Sequence, residues 1–256
     1  ERGILERANQ HLNVNRRVLV VTDSGVPAEY ARKLAKICKE PILCTVEAGE
    51  ASKSLTVFDR ILQKMLDNDF SRKDCVAAVG GGMVGDLSGF VASVYMRGID
   101  FYNIPTTLLS QIDSSIGGKT ALNFGGVKNV VGTFYQPKKV LIDPGLLKTL
   151  PLRQISNGLA EAVKMALTSD KDLFDILENK HLESNLDEII IRSLNIKKNV
   201  VEQDEKERGL RKILNFGHTI GHGIESSEHP SGLYHGECVA LGMIPMCGET
   251  IRTRVI

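Results

Sequence analysis

Residues 80–86 read Gly-Gly-Gly-Met-Val-Gly-Asp and follow the apolar run Cys75-Val76-Ala77-Ala78-Val79. The pattern predicts a buried strand that runs into three consecutive glycines and then a helix. Such a junction can cradle an anion. Glycine permits left-handed backbone and close approach, and the N–H groups and dipole of the next helix attract negative charge. Gly80, Gly82 and Gly85 also satisfy G-x-G-x-x-G, a weak match by itself. The dinucleotide fingerprint usually opens the first strand of its unit and is followed by an acid at the end of the second. Here a strand and two helical segments come first, and Asp100 precedes the next apolar run. Taken alone, the triplet reads as a tight turn.

The segments on either side give it a context. Val18–Val21 predict a strand ending in Thr22-Asp23-Ser24-Gly25, and residues 27–38 carry helical spacing. A second strand is expected over 41–46, an amphipathic helix over 54–66 with Val57, Ile61 and Leu62 on one face, and a third strand at 75–79. Beyond the glycines, residues 83–95 read as a helix, 101–104 as a strand, and 139–142 as another strand. Strands alternating with helices of this length predict a parallel sheet covered on both faces, with a ligand at the carboxyl ends of the strands. The threonines of Pro105-Thr106-Thr107 suit a helix cap. Residues 113–120, DSSIGGKT, put a lysine after two glycines but lack the leading glycine and the spacing of a phosphate-binding P-loop, which excludes that class of nucleotidase. From Leu150-Pro151 onward the pattern is helical: 151–167, 171–178, 186–202, 216–226 and 235–250, with no convincing strand. The fold class expected is therefore an α/β Rossmann-like domain over 1–150 followed by an all-α domain over 151–256.

With 256 residues, 42% of them hydrophobic, the chain can bury roughly 70–75% of its unfolded surface. A net charge of +1 gives no reason to expect nucleic acid or an acidic membrane as a partner. No apolar segment approaches the length of a membrane span and no signal pattern opens the chain, so it reads as a cytoplasmic protein. The five cysteines, Cys38, Cys44, Cys75, Cys238 and Cys247, are odd in number and lack C-x-x-C spacing, and read as reduced core thiols.

The second half carries chemistry-bearing residues. Asn215, His218 and His222 stand at i, i+3 and i+7 and would share one helix face, which Arg211 joins if the helix starts early. A third histidine lies in Tyr234-His235-Gly236-Glu237. The glutamate of H-E-x-x-H is missing, which argues against a metalloprotease. Glu161 and Lys164, three apart in Gly-Leu-Ala-Glu-Ala-Val-Lys (158–164), would ordinarily form a surface ion pair, yet their neighbours are apolar. One carboxylate plus two imidazoles with an open fourth position is a typical catalytic zinc set.

Taken together, GGGMVGD (80–86), YMRG (95–98), PTTLL (105–109), DSSIGGKT (113–120), Lys128-Asn129, GLAEAVK (158–164), LNFGHTIGH (214–222) and HGE (235–237) make the chain resemble the 3-dehydroquinate synthases of the sugar-phosphate cyclase superfamily, over essentially its whole length. The resemblance implies an NAD-binding α/β domain and a helical metal-binding domain with the active site between them. It implies Glu161, His218 and His235 as ligands of Zn2+ (or Co2+). NAD would contact Asp23, Glu50, Lys53, Gly81, Gly82, Asp86, Thr106, Thr107, Asp113, Lys119, Lys128, Asn129, Thr149 and Leu150. Substrate would meet Asp113, Lys119, Lys128, Asn129, Lys164, Lys197, Arg211, Asn215 and His222. Arg97 would reach the phosphate in a neighbouring subunit, which implies a homodimer. The resemblance also implies a strand and hairpin ahead of Glu1 and further helices with a late lysine after Ile256, so the sequence reads as trimmed at both ends.

The activity implied is conversion of 3-deoxy-D-arabino-heptulosonate 7-phosphate to 3-dehydroquinate and phosphate, in the shikimate pathway. It proceeds by transient NAD-dependent oxidation, β-elimination of phosphate, reduction, and intramolecular aldol closure. His222 is the candidate proton shuttle, since an unperturbed imidazole titrates near about 6.5. Lys119, Lys164, Asn129, Arg211 and Asn215 complete the catalytic set implied.

Overall fold

The computed structural model describes residues 1–179, 181–227 and 232–255. The chain divides into two compact units, one of Glu1–Ser110 with Gly117–Thr149 and the other of Gln111–Ile116 with Leu150–Ile256. The segment around Asp113 thus groups with the helical half.

In the first unit β1 (Arg17–Asp23), β2 (Glu40–Val46), β3 (Cys75–Gly80) and β4 (Asp100–Pro105) alternate with α1 (Ala28–Ile37), α2 (Leu55–Asp67) and α3 (Gly82–Val94). A hairpin, β5 (Lys119–Phe124) and β6 (Val127–Phe134), precedes the short β7 (Lys139–Val140). The main sheet is parallel in the order β2-β1-β3-β4-β7. Both faces are covered, so each strand splits its apolar residues by parity. Leu19, Val21, Val76 and Ala78 pack with Val57, Ile61, Leu87 and Val91 of α2 and α3. Val18, Val20, Cys75, Ala77 and Val79 pack on the opposite face with Tyr30 and Leu34 of α1 and with Leu5 and Ala8. From β1 the chain goes to one side to make β2 and to the other to make β3, so the strand order reverses there. Asp23 and the glycine turn stand at the carboxyl ends of the two strands that flank this reversal, where ligands bind in open α/β sheets.

The glycine turn differs from expectation in its physics. None of Gly80, Gly81 and Gly82 has positive φ. Gly80 and Gly81 are small because of what surrounds them: a Cβ on Gly80 would meet Val84 at 2.6 Å, and one on Gly81 would meet Thr107 at 3.1 Å. Further along α3, Gly89 lies where a Cβ would stand 2.5 Å from Thr120 of the hairpin. The hairpin was missed by sequence reasoning, although its signal is present. Gly125-Gly126, with φ of 59° and 80°, form the two-residue turn that right-twisted strands favour.

The second unit is helical: α4 (Leu152–Ser169), α5 (Lys171–Asn179), α6 (Leu182–Gln203), α7 (His218–Glu225), α8 (His235–Met243) and α9 (Glu249–Val255). Two expectations need correction. The helix expected from residue 216 begins only at His218, because Gly217 takes φ 79°; Arg211 and Asn215 belong to a separate 3-10 segment, Leu210–Asn215. The helix expected over 235–250 breaks, because Pro245 has no N–H to continue the ladder, leaving a 3-10 turn before α9.

Helices α7 and α8 pack backbone to backbone. A Cβ on Gly242 would meet the Gly217 carbonyl oxygen at 2.1 Å, and one on Gly221 would meet that of Cys238 at 2.9 Å. Gly236, at the start of α8, sits equally close to α4: its Cβ would stand 2.0 Å from the Asn157 carbonyl oxygen, and its N–H donates to Asn157 Oδ1 at 2.7 Å. All five cysteines are buried and unbridged. Among the described residues no helix is long and apolar enough to cross a membrane.

Candidate active site and metal centre

Glu161 and Lys164 lie mid-way along α4 and one turn apart. Sequence spacing leaves such a pair on the surface by default, but here they are 0% and 1% exposed, and Lys164 Nζ donates to Glu161 Oε2. The other carboxylate oxygen, Oε1, is buried with no hydrogen-bond partner. It faces His218 Nε2 at 3.6 Å, from the first turn of α7, and His235 Nε2 at 3.5 Å, from the first turn of α8. These separations are too long for good hydrogen bonds, and an unsatisfied buried oxygen is costly. They suit a shared cation instead. Two ligands each about 2.1 Å from one tetrahedral ion lie about 3.4 Å apart. The residues therefore fit a divalent metal on donor chemistry and on spacing.

His222 completes a histidine cluster. Its ring stands 5.3 Å from that of His218 and 5.6 Å from that of His235, and one ring nitrogen from each of the three histidines falls within 4.8 Å of the others. His222 is the exposed member. The far nitrogens of the two inner rings are engaged too: His218 Nδ1 lies 3.2 Å from the Phe216 carbonyl, and His235 Nδ1 lies 3.3 Å from Glu225 Oε2. Neither partner is foreseen from sequence; Glu225, seven residues after His218, has the spacing to share its helix face.

The electrostatics follow from burial set against neighbours. Burial would raise the Glu161 carboxyl, but the Lys164 ammonium and the histidines hold it well below the usual carboxylate range. Burial lowers His218, only partly opposed by Glu161. Burial would lower His235 as well, yet Glu161 and Glu225 together push it up to about 9. Lys197 of α6 reaches Asp113 at 2.5 Å. Despite burial, Lys197 and Lys164 hold Asp113 far below its ordinary value, whereas burial depresses Lys197. Arg211 is buried, its guanidinium donating to the Glu205 carbonyl at 2.5 Å, and Asn215 Nδ2 donates to Glu207 Oε1 at 2.6 Å. Glu207 itself has φ 57°, a strained backbone for a non-glycine residue. The second unit thus gathers Glu161, Lys164, His218, His222 and His235, with the Asp113–Lys197 pair near enough for Asp113 to act on Lys164 and Glu161.

In the first unit the expected cofactor residues lie at the end of β1, in the segments that follow β2 to β4, on the hairpin, and in the 3-10 segment Pro144–Thr149. Asp23 closes β1 with an Asx turn, accepting from the N–H groups of Gly25 at 2.8 Å and Val26 at 3.2 Å. Lys53 is buried; it contacts Asp86 at 2.8 Å and Glu50 at 3.4 Å and donates to Asn129 Oδ1. Asn123, which sequence reasoning passed over, links Glu50 Oε1 to the Asn129 backbone. Burial pushes Asp86 up to about 6 although Lys53 is near, while Asp86 and Glu50 outweigh burial to raise Lys53. With the Asp86 side chain still 22% exposed, the 2.8 Å contact is best described as an ionised pair. The Thr106 N–H donates to Gly80 O at 2.9 Å, and Thr107 exchanges hydrogen bonds with Ser110. Lys119 and Lys128 are exposed on the hairpin. Thr149 meets the Tyr30 hydroxyl at 2.9 Å, and Leu150 begins the second unit's main segment. Arg97 is exposed within three successive positive-φ residues, Met96 at 49°, Arg97 at 70° and Gly98 at 115°.

Two family models meet between residues 157 and 158. Residues 43–157 match the family model described as 3-dehydroquinate synthase N-terminal, and residues 158–250 match 3-dehydroquinate synthase C-terminal. A 3-dehydroquinate synthase of Campylobacter concisus is 46% identical over 237 residues, 91% of this chain and 69% of that protein. Among solved structures, a 2-deoxy-scyllo-inosose synthase complexed with carbaglucose-6-phosphate, NAD+ and Co2+ superposes with a TM-score of 0.89 at 29% identity, covering 99% of this chain and 74% of that one. A 2-epi-5-epi-valiolone synthase from Streptomyces hygroscopicus with NAD+ and Zn2+ bound gives 0.89 at 32% identity, covering 100% and 77%. With the two family models matched in succession over residues 43–250, and a relative 46% identical over 91% of the chain, the chain belongs to the 3-dehydroquinate synthase family.

Proposed function

We propose that this chain is a 3-dehydroquinate synthase, a phosphate-eliminating lyase acting on 3-deoxy-D-arabino-heptulosonate 7-phosphate, with NAD held by the first unit and Zn2+ or Co2+ by the second. The observation that carries the metal assignment is the orphaned Glu161 Oε1 facing two imidazole Nε2 atoms at 3.5 and 3.6 Å. A bound cation would supply Lewis acidity toward a substrate hydroxyl, and bound NAD would supply reversible hydride chemistry.

The chain's own residues take the other roles. Glu161, His218 and His235 hold the cation. Asp23, Glu50, Lys53, Gly81, Gly82, Asp86, Thr106, Thr107, Thr149 and Leu150 bind NAD, with Asp113, Lys119, Lys128 and Asn129 serving both cofactor and substrate. Lys53 sets the Asp86 and Asn129 side chains by binding both. Lys164 and Lys197 each keep donors beyond the one spent on a carboxylate, since an ammonium has three. With Arg211 they make a buried cationic set suited to the anionic substrate and the departing phosphate. Asn215 orients a substrate hydroxyl. His222, exposed beside the inner histidines, carries a proton between substrate and solvent.

Arg97 acts from a second copy in a homodimer. Its exposure and its left-handed backbone support a site outside its own unit's core, since strain of this kind collects where function requires it. Buried unbridged cysteines support a reducing, cytoplasmic setting.

The test is a product assay with NAD and Zn2+ present. Phosphate release without net NADH is expected. Net NADH without phosphate release would instead make the chain a polyol dehydrogenase, and binding of NAD and zinc without turnover would make it a binding module.

A further inference from the structure

The two histidines nearest Glu161 are held at both ends of their rings. A carbonyl oxygen can only accept a hydrogen bond, so the 3.2 Å contact between His218 Nδ1 and Phe216 O requires the proton on Nδ1. A carboxylate imposes the same on His235, whose Nδ1 lies 3.3 Å from Glu225 Oε2. In a neutral imidazole a protonated Nδ1 leaves the lone pair on Nε2, and Nε2 is the atom that each ring turns toward Glu161 Oε1. Glu225 is the last residue of α7 and its side chain is mostly buried, 18% exposed. Helix α7 therefore supplies one ring, His218, from its first turn, and from its last turn the carboxylate that orients the other ring on α8. Outer partners of this kind fix ring orientation and tautomer at metal centres, and losing one typically costs 10–100-fold in metal affinity or activity.

We propose that Glu225 is a positioning residue: by accepting the His235 Nδ1–H it fixes the tautomer and ring angle that aim Nε2 at the Glu161–His218 pair, with the Phe216 carbonyl doing the same for His218. The assignment rests on the reading of Glu161, His218 and His235 as ligands. It adds a side chain that touches neither the cation nor the substrate, and it gives α7 a second role besides carrying His218.

The test is competition binding of Zn2+ and Co2+ to the full chain, for wild type, Glu225→Ala, Glu225→Gln, Glu225→Asp and His235→Ala. Nitrogen-15 NMR of the histidine rings in the zinc-loaded protein accompanies it. Glu225→Ala is expected to weaken zinc binding by about 10–100-fold and to alter the visible spectrum of bound Co2+. Glu225→Gln, which keeps an acceptor but loses the charge, should fall between Ala and wild type, and Glu225→Asp should recover part of the loss. In wild type the His235 ring should carry its proton on Nδ1. The inference is overturned if Glu225→Ala binds zinc within about twofold of wild type with an unchanged Co2+ spectrum, or if His235 is protonated on Nε2. If instead His235→Ala binds as tightly as wild type, the ligand set itself is wrong and both readings fall together. Should Glu225→Ala not fold, the wild-type tautomer and the Gln and Asp variants decide the matter alone.

Discussion

Replacing Gly242 by alanine tests whether the close approach of α7 and α8 builds the metal centre. The new methyl carbon would stand 2.1 Å from the Gly217 carbonyl oxygen and 2.8 Å from the Gly221 nitrogen. Both are backbone atoms and cannot rotate away, so the helices must part by about 1 Å. Overpacking of this kind typically costs about 1–3 kcal/mol, and in a protein of this size each kcal/mol shifts the melting temperature by about 2–4 °C. The parting also separates His218 on α7 from His235 on α8, by about twice the roughly 0.5 Å within which a functional constellation must be held. Zinc affinity should therefore fall along with stability. Gly223→Ala is the control. It lies in α7, the other helix of the pair, with nothing within 4 Å of the added carbon, so it should stabilise by about 0.5–1 kcal/mol through helix propensity alone. Thermal unfolding followed by circular dichroism, with and without zinc, reads both variants. An unchanged melting temperature and zinc affinity in Gly242→Ala would refute the reasoning, and so would equal destabilisation by Gly223→Ala.

Other expectations concern roles. His218→Ala should abolish stoichiometric zinc binding while His222→Ala keeps zinc and loses turnover; equal zinc loss in both, measured by equilibrium dialysis, would move His222 into the ligand set. Arg97→Ala should raise the Michaelis constant for the phosphorylated substrate by about tenfold or more, and an unchanged constant would argue against its contact with phosphate. Asp170 caps α5 by accepting the Leu173 N–H at 3.0 Å and binds Arg192 at 3.0 Å. Asp170→Ala should cost about 1–2 kcal/mol in urea unfolding at neutral pH. Although burial acts the other way, those bonds lower the Asp170 carboxyl below its ordinary value. Its contribution is thus present above the unfolded value near about 3.9 and is lost as pH falls through the folded one. Wild-type and variant stabilities should converge as the pH falls, and a gap undiminished in acid would exclude the ionised cap as its source.

The parallel sheet was legible because its strands are short apolar runs set between helical spacings, and both periods survive in the structure. The hairpin was not. Its second strand is almost wholly exposed, so no buried face imposes alternation on it, and only the Gly125-Gly126 turn announces it. The histidine spacing was read as one helix, whereas Gly217 in the left-handed region interrupts it and places Asn215 and Arg211 on another element. The Glu161–Lys164 pair shows where local reasoning stops. Spacing three apart says only that the two share a face; whether that face is wet or dry depends on what α8 and α6 bring to it. Glu225 had the right spacing to be noticed but nothing local to distinguish it from a solvated acid.

The glycines and the proposed ligands Glu161, His218 and His235 answer one geometric problem between them. An imidazole reaches only a short way from its helix, and a glutamate little further, so three of them from α4, α7 and α8 can converge only where the backbones nearly touch. Gly236 brings the start of α8 against α4, while Gly217, Gly221 and Gly242 bring α7 against α8. At each contact a single methyl group would occupy the space of a backbone atom 2.0–2.9 Å away. Two of these glycines adjoin the proposed ligands themselves: Gly217 precedes His218 and Gly236 follows His235. Substituting a ligand should remove the cation and leave the helices where they are. Substituting a glycine should leave every donor in the sequence and still lose the site, because the donors would no longer point at one place.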